Sequence, residues 1–349
     1  MGLPRPAHAS VRVLAAAWLV AFSAGAAHAL PPQGELARRE ILRDPGRNVR
    51  TLAPDWSAPL VSRVQRIPDL LLQSVKRMDA SSRYAAYTPT AGDRALVSDY
   101  LSQLPAPLQQ AMQEHVAGIY FVENFQGSAW CGLTLDPDDP SSLYLSMVIN
   151  AETLRTGLSA WMTRKEMSAF LEDASGLRVQ VNAGTKYRGL MYVLLHEGAH
   201  LLDFIRPVTP FPSGDYRALF RIRATSTPFT RGLWKNFAYP DPAYDYPART
   251  GLRFDGLDGG TRVKLAEAPR IYEALRAGPF VSLYASTNWA DDFADLYTYK
   301  YLTEKLGQPY EVSVFRGDVA LVRYLPLLTE KVRARSLALP SLLEPAAVR

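Results

Sequence analysis

The sequence predicts an α+β fold in which a small mixed or antiparallel sheet packs on one long helix and is followed by a helical C-terminal part. Three observations favour this fold. Short β-type runs are concentrated in residues 118–182, helical apolar spacing dominates on both sides of them, and one uninterrupted helical pattern covers residues 185–205. The chain has 349 residues, of which 48% are hydrophobic and 21% charged, as is typical of a folded globular protein.

The first 29 residues have the pattern of a secretory signal peptide. Arg5 and Arg12 precede the apolar run 13–22, and the small residues of A-H-A at 27–29 suit cleavage after Ala29. We therefore expect a secreted or periplasmic protein, with an uncleaved anchor as the alternative. No later run approaches the ~20 apolar residues of a transmembrane helix, so we expect no stable membrane span in the mature chain.

Charge and cysteine content restrict the classes of partner and of stabilising bond. The formal net charge is +5, and it falls to +3 without residues 1–29, which hold two arginines and no acid. Because this mild excess forms no basic block, we expect no nucleic-acid partner. Cys131 is the single cysteine, so an intrachain disulfide is impossible and the fold depends on its core or on a metal. The sequence leaves the oligomeric state open.

Residues 30–60 show no sustained period and predict an extended lead-in, after which residues 61–349 are expected to form one domain. Its upper part, residues 61–205, holds the sheet and the long helix. The predicted helices there are 67–79, 92–104, 106–116 and 163–173, the last with Thr163 as N-cap, and the predicted strands are 118–125, 129–136, 143–150 and 177–182.

Residues 206–262 predict a long irregular insertion, because they contain seven prolines and many aromatic residues. The remaining residues, 263–349, predict a helical lower part. Its expected helices are 268–278, 287–307 with Thr287 or Asn288 as N-cap, and a stretch within 317–336, and its expected apolar strand is 280–286.

The helix at 185–205 carries the pattern H-E-x-x-H. His196 and His200 are four residues apart, so their imidazoles project from one helix face and can both bind one zinc ion. Glu197 adjoins the first histidine, where it can take a proton from a water at the metal. The alternative is a polar helix face whose two histidines are satisfied by neighbours or water. These two are among only three histidines that remain without residues 1–29.

A catalytic zinc site needs a third protein ligand, and a second predicted helix supplies acidic candidates. Asp291 is the first candidate and Asp292 the second, whereas His115 would have to come from a distant element. Asp295 lies four residues after Asp291, so it can accept a hydrogen bond from a ligand imidazole and orient it. Helix capping is the alternative role for acids in a first turn, but it does not account for Asp295.

The motifs H-E-G-A-H at 196–200 and D-D-F-A-D at 291–295 together resemble the zincin metallopeptidases. The likeness is to the gluzincin group, and within it to the catalytic domain of anthrax lethal factor and its relatives. It implies a zincin-like fold and one Zn²⁺ ion held by the two histidines and an acidic residue of the second motif. It also implies that Tyr284, seven residues before Asp291, stabilises an oxyanion, and that Asp203 is an acid that supports the site.

The sequence departs from the gluzincin pattern in the third ligand, which would be aspartate instead of glutamate. A shorter ligand requires the two helices to approach more closely. We expect Gly198 and Ala199 to permit that approach.

The leading hypothesis is an exported zinc-dependent peptidase that acts on a peptide or protein substrate, with Glu197 as general base and Tyr284 as oxyanion donor. The strand at 143–150 is expected to pair with an extended substrate. One alternative is a non-catalytic or degenerate zincin that serves as an envelope-associated binding module. A minor alternative is a deformylase-like amide hydrolase in which Cys131 is the third ligand.

Overall fold

The computed structural model describes Arg39 and residues 42–139, 142–211 and 225–343. The signal peptide expected at 1–29 and most of the first part of the lead-in lie outside these residues. Within the described ranges, no helix is both long enough and apolar enough to cross a membrane.

The described chain combines helices and strands, as expected for an α+β protein. The helices are α1 (Val49–Leu52), α2 (Asp69–Met78), α3 (Ala91–Ser102), α4 (Ala106–His115), α5 (Leu158–Met167), α6 (Gly189–Ile205), α7 (Ala268–Ala277), α8 (Trp289–Glu304) and α9 (Glu330–Leu343). The strands are β1 (Val64–Arg66), β2 (Ala85–Ala86), β3 (Val116–Glu123), β4 (Ala129–Thr134), β5 (Tyr144–Asn150), β6 (Leu177–Asn182), β7 (Trp234–Asn236), β8 (Tyr239–Pro240), β9 (Glu311–Arg316) and β10 (Val319–Tyr324).

The larger sheet is mixed and has the strand order β1-β3-β5-β4, with β2 also paired to β3. Strands β1, β3 and β5 are parallel, whereas β4 runs antiparallel to β5. Because β5 has a partner on each side, the expectation that residues 143–150 pair with a substrate strand is wrong. The edge strand on that side of the sheet is β4.

The two faces of this sheet belong to different core clusters because successive side chains alternate across a strand. Tyr120, Trp130 and Val148 lie in a cluster with α2 residues such as Leu71 and Val75. Their neighbours along the strands lie in the main core, which also contains the apolar residues of α6. The sheet is thereby held between α2 on one face and the histidine-bearing helix on the other.

A second sheet has the order β10-β9-β6, all antiparallel, and it corrects the prediction of a helical stretch within 317–336. Residues 311–324 form a hairpin whose turn contains Gly317 at a φ of 55°, a left-handed conformation that glycine adopts at little cost. Helix α9 begins only at Glu330. The lower part is therefore not purely helical, because β9 and β10 form a hairpin and β9 pairs with β6 of the upper part.

Two further local predictions are wrong in their placement. Helix α5 begins after Gly157, so Thr163 is not an N-cap; its hydroxyl lies inside the helix and accepts a hydrogen bond from the Val181 amide at 2.9 Å. The apolar residues 280–286 form turns instead of a strand. Ser282 Oγ accepts a bond from the Ala285 amide at 2.8 Å, a local side-chain bond that favours a turn.

The insertion is irregular, as expected, in its described part from residue 225. It contains only the short strands β7 and β8 and 3₁₀ turns at Pro242–Tyr244, Arg249–Gly251 and Leu257–Gly259. Four of its aromatic residues are buried in the main core, namely Phe229, Trp234, Tyr246 and Phe254. The insertion therefore packs against the rest of the chain through aromatic side chains.

Candidate metal centre

Helices α6 and α8 pack together and bring three ligand-type side chains to one point. The Nε2 atoms of His196 and His200 are 3.2 Å apart, and each lies 3.4 Å from Oδ1 of Asp291. The three residues are 4%, 1% and 2% exposed. Within the described part of the chain, this buried group could hold a metal ion.

The spacing of the three atoms fits tetrahedral zinc. Zinc binds imidazole nitrogen and carboxylate oxygen at about 2.0–2.2 Å, which places tetrahedral ligand atoms about 3.3–3.6 Å from one another. Asn288, the N-cap of α8, donates to Oδ2 of Asp291 at 2.6 Å, while Oδ1 has no hydrogen-bond partner in the described residues. The cap thus fixes the carboxylate so that Oδ1 lies beside both imidazoles.

Asp295 orients the first histidine. It accepts hydrogen bonds from Nδ1 of His196 at 2.9 Å, from the Tyr192 hydroxyl at 2.8 Å and from the Ser282 hydroxyl. When a cation occupies the cluster, the bond to Asp295 keeps the His196 proton on Nδ1 and so leaves the lone pair of Nε2 for the ion. The prediction that Asp295 accepts a hydrogen bond from a candidate ligand imidazole is confirmed.

Burial and charge act in opposite directions on this cluster. Burial lowers the pKa of His196, but the carboxylates of Asp291 and Asp295 outweigh it and raise the pKa to about 9. Burial raises the pKa of Asp291, but the adjacent imidazoles of His196 and His200 hold the pKa well below its usual value. The two carboxylates thus favour a positive charge at His196, which a proton supplies at neutral pH and which a bound metal ion would supply in its place.

Glu197 lies beside the triad and is only 5% exposed. Its Oε2 atom has no hydrogen-bond partner within the described ranges. It lines a small cavity of about 40 Å³, together with His196, Tyr284 and Lys165. Because leaving a buried carboxylate oxygen unpaired costs free energy, this atom fits a group that binds a ligand in the cavity.

Tyr284 lies in a turn at the same cavity, with its ring centroid 5.8 Å from that of His196. Burial and the negative charge of Asp291 raise the pKa of its phenol well above the usual value. The hydroxyl therefore keeps its proton at neutral pH and can donate it in a hydrogen bond. Phe254 of the insertion packs edge-on against the ring at 5.0 Å.

Asp292 has a different role from its neighbour. Its two oxygens accept from Arg335 at 2.9 and 2.7 Å, and Trp234 Nε1 donates to it at 2.9 Å. The structure thus uses this side chain to join α8 to α9 and to the insertion, so the second candidate for the third ligand is wrong.

Three other residues that the sequence suggested for the site also lie apart from the cluster of ligand atoms. Asp203 accepts from the Thr209 amide at 2.6 Å and holds the chain that follows α6, while burial raises its pKa to about 7. Cys131 is buried on β4 and does not belong to the group of possible metal ligands. His115 donates from Nδ1 to the Leu143 carbonyl at 2.8 Å.

Gly198 lies against α4 and not, as expected, against the second helix that carries ligands. A Cβ atom at this position would lie 2.8 Å from both terminal carbons of Leu108 on α4. The absence of a side chain therefore allows α6 to approach α4. The prediction that Gly198 makes room for the second ligand-bearing helix is wrong.

Three residues at the site were not predicted from the sequence: Tyr192, Ser282 and Lys165. Tyr192 precedes His196 by one helical turn, so the spacing contained a signal. Ser282 and Lys165 come from separate elements, and their proximity depends on how the helices and turns pack.

Comparison of the chain with protein-family models, curated proteins and solved structures found no match. The assignment of the candidate metal centre therefore depends only on the residues of this chain. The resemblance to zincins is confined to the two short motifs at 196–200 and 291–295.

Proposed function

We propose that the protein is a zinc-dependent peptidase with a zincin-like site of the gluzincin type. The supporting observation is the group of three buried ligand atoms, 3.2–3.4 Å apart, beside the unpartnered carboxylate oxygen of Glu197. Three protein ligands leave one position for water or substrate, as in catalytic zinc sites. Two imidazoles with one carboxylate also suit zinc better than magnesium or calcium.

Each residue has a defined role in this proposal. His196, His200 and Asp291 would hold the ion, which when bound polarises a carbonyl and lowers the pKa of a water. Glu197 takes a proton from the attacking water and delivers it to the leaving amine nitrogen. Tyr284, whose raised pKa keeps the phenol protonated, donates a hydrogen bond to the developing oxyanion.

The sheet edge supports an extended peptide substrate. Ala129 at the start of β4 lines the cavity that also contains Glu197 and His196. The other side of β4 is covered at its end by residues 47–49, which bond to Leu133 and Leu135. A substrate strand would therefore add at the start of β4, beside Ala129. We therefore assign substrate pairing to β4.

The test is the variant Glu197→Gln, with the exposed Glu304→Gln as its control. We expect Glu197→Gln to retain one zinc ion while hydrolysis of a peptide library falls by about 10²-fold or more, because the general base is lost. Metal analysis and mass spectrometry of the products measure both effects. Undiminished hydrolysis in this variant would contradict the mechanism.

The wild-type protein separates the peptidase from the non-catalytic alternative. A peptidase cleaves at least part of the library with zinc bound. Zinc-loaded wild-type protein that binds peptides and leaves all of them intact would instead support an envelope-associated binding module.

A further inference from the structure

A polar cleft of about 520 Å³ adjoins the small cavity at the metal centre. The two spaces share part of their lining, namely Gly127, Ser128, Lys165 and Asp255. A volume of this order is typical of ligand sites, whereas the cavity of about 40 Å³ holds little more than the reacting group. The cleft is therefore the space available to the substrate groups next to the scissile bond.

Lys165 of α5 lies at the junction of these two spaces and is only 7% exposed. Its ammonium donates to the Tyr192 hydroxyl and lies 3.7 Å from the centroid of the Tyr284 ring. In the part of the chain that the structure describes, no carboxylate lies within the 4.0 Å of an ion pair with this ammonium. The negative charge of Asp295 acts on this ammonium from the far side of the Tyr192 hydroxyl, without direct contact. Burying an ammonium without a direct carboxylate partner is costly, and ring faces compensate for it only in part.

The ammonium also retains hydrogen-bonding capacity. It has three N–H donors, of which the Tyr192 oxygen accepts one. A carboxylate at the junction could accept the others in charge-assisted hydrogen bonds, which are shorter and stronger than neutral ones.

Two acidic residues also line the cleft. Glu152 is paired with Arg164 on the rim of the cleft. Asp255 lines the junction, and its main chain is fixed by bonds to Ser168 and Gln126. Arg83 adds an exposed positive charge to the lining.

We propose that Lys165 binds a carboxylate of the substrate, so that the enzyme prefers peptides with a carboxylate next to the scissile bond. This carboxylate is either a free C-terminus or an acidic side chain. The inference rests on the proposed peptidase function, and it adds the substrate class.

A role in the metal centre alone would give a different result. Lys165 is connected to Asp295 through the Tyr192 hydroxyl, so its loss also disturbs the residue that orients His196. A disturbed metal centre lowers hydrolysis of all peptides by a similar factor. A carboxylate-binding role changes the ratio between matched peptides, and this ratio is what the test measures.

The test uses two pairs of peptides that share one cleavable core. One pair differs in a free or amidated C-terminus, and the other has glutamate or glutamine beside the scissile bond. We expect wild-type kcat/KM to favour the carboxylate by at least about tenfold in one pair, which also identifies its source. Equal rates within both pairs would overturn the proposal.

Variants of Lys165 extend the comparison. Lys165→Met should abolish the preference, Lys165→Glu should reverse it, and Lys165→Arg should retain most of it, while the exposed Lys186→Met serves as the matched control. A preference that persists in Lys165→Met would contradict the proposal.

Binding to Glu197→Gln provides a measurement that does not depend on turnover. Calorimetry should show the same tenfold difference between the acid and the amide peptide. If no peptide is cleaved by the wild type but this difference in binding is found, the peptidase function fails and the carboxylate site stands. Equal binding of both peptides would overturn the carboxylate site itself.

Discussion

Asp295 on α8 accepts a hydrogen bond from Nδ1 of His196 on α6 at 2.9 Å. This bond joins the two helices that hold the candidate metal ligands and, when a cation occupies the cluster, keeps the proton on Nδ1 so that the lone pair of Nε2 is left for the ion. Two further donors, Tyr192 and Ser282, fix the same carboxylate. The orientation of the first ligand thus depends on a residue outside the triad.

Replacing this carboxylate should weaken metal binding without removing a ligand. We expect Asp295→Asn to bind zinc about 10–100-fold more weakly, since partners that orient ligand imidazoles typically contribute this much. Competition with a chromophoric chelator measures the affinity, and the exposed Asp318→Asn is the control. Unchanged zinc affinity in Asp295→Asn would show that the hydrogen bond has no part in metal binding.

The neighbouring aspartates should separate metal binding from stability. Asp292→Asn breaks a buried pair with Arg335, so we expect it to lower the free energy of unfolding by about 3 kcal/mol. Because the triad is intact, the variant should still bind one zinc ion, whereas Asp291→Asn should lose it. Denaturant unfolding and metal analysis give the two readouts. The assignment of the third ligand is wrong if zinc is lost from Asp292→Asn and retained by Asp291→Asn.

The contact between Gly198 and Leu108 predicts a local packing cost. A methyl group at position 198 would lie 2.8 Å from the end of the Leu108 side chain, so Gly198→Ala should destabilise the protein by about 1–3 kcal/mol. Gly92→Ala is the matched control, because this helical glycine has its nearest such neighbour at 3.7 Å. The control should be neutral or up to about 1 kcal/mol more stable. Equal effects at both positions would argue against close packing of α6 on α4.

Glu166 predicts a pH-dependent loss of stability. Burial raises its pKa from 4.5 to about 7, although the Tyr272 hydroxyl donates to it at 2.6 Å. Between these pH values the folded protein retains a proton that the unfolded chain releases, so the free energy of unfolding falls as pH rises. The full effect is about 3 kcal/mol above pH 7 and is absent below pH 4.5.

The variant Glu166→Gln isolates this effect. It should be more stable than the wild type at pH 8 by about 3 kcal/mol beyond any difference at pH 4. Urea unfolding at the two pH values gives the comparison. A constant difference between the two proteins across this range would contradict the raised pKa.

Local sequence patterns predicted those parts of the site that lie within one helix. The spacing of His196 and His200 fixes their common face, and the spacing of Asp291 and Asp295 does the same on α8. The sequence could not decide between Asp291 and Asp292, since both suit a helical first turn. That choice depends on how α8 is rotated against α6, which is set by packing.

The wrong predictions concern the order of the strands in the sheet and one segment whose apolar spacing fits a helix as well as a strand. The strand order that makes β4 the edge is non-local, so the run at 143–150 gave no sign that it lies inside the sheet. Residues 317–324 contain enough apolar side chains to match a helix, and only the turn at Gly317 and pairing with β9 decide for a strand. The approach of Lys165 to the site likewise depends on tertiary packing.

Zinc-edge X-ray absorption on the purified wild-type protein, loaded with one equivalent of zinc, directly identifies the atoms that bind the metal. We expect two imidazole nitrogens and one carboxylate oxygen from the protein at about 2.0–2.2 Å, with a further light-atom ligand from solvent. The same spectrum from Asp291→Ala should lose this environment. A wild-type protein that binds no zinc, or a spectrum with sulfur from Cys131 bound to the metal, would contradict the assignment of His196, His200 and Asp291 as ligands.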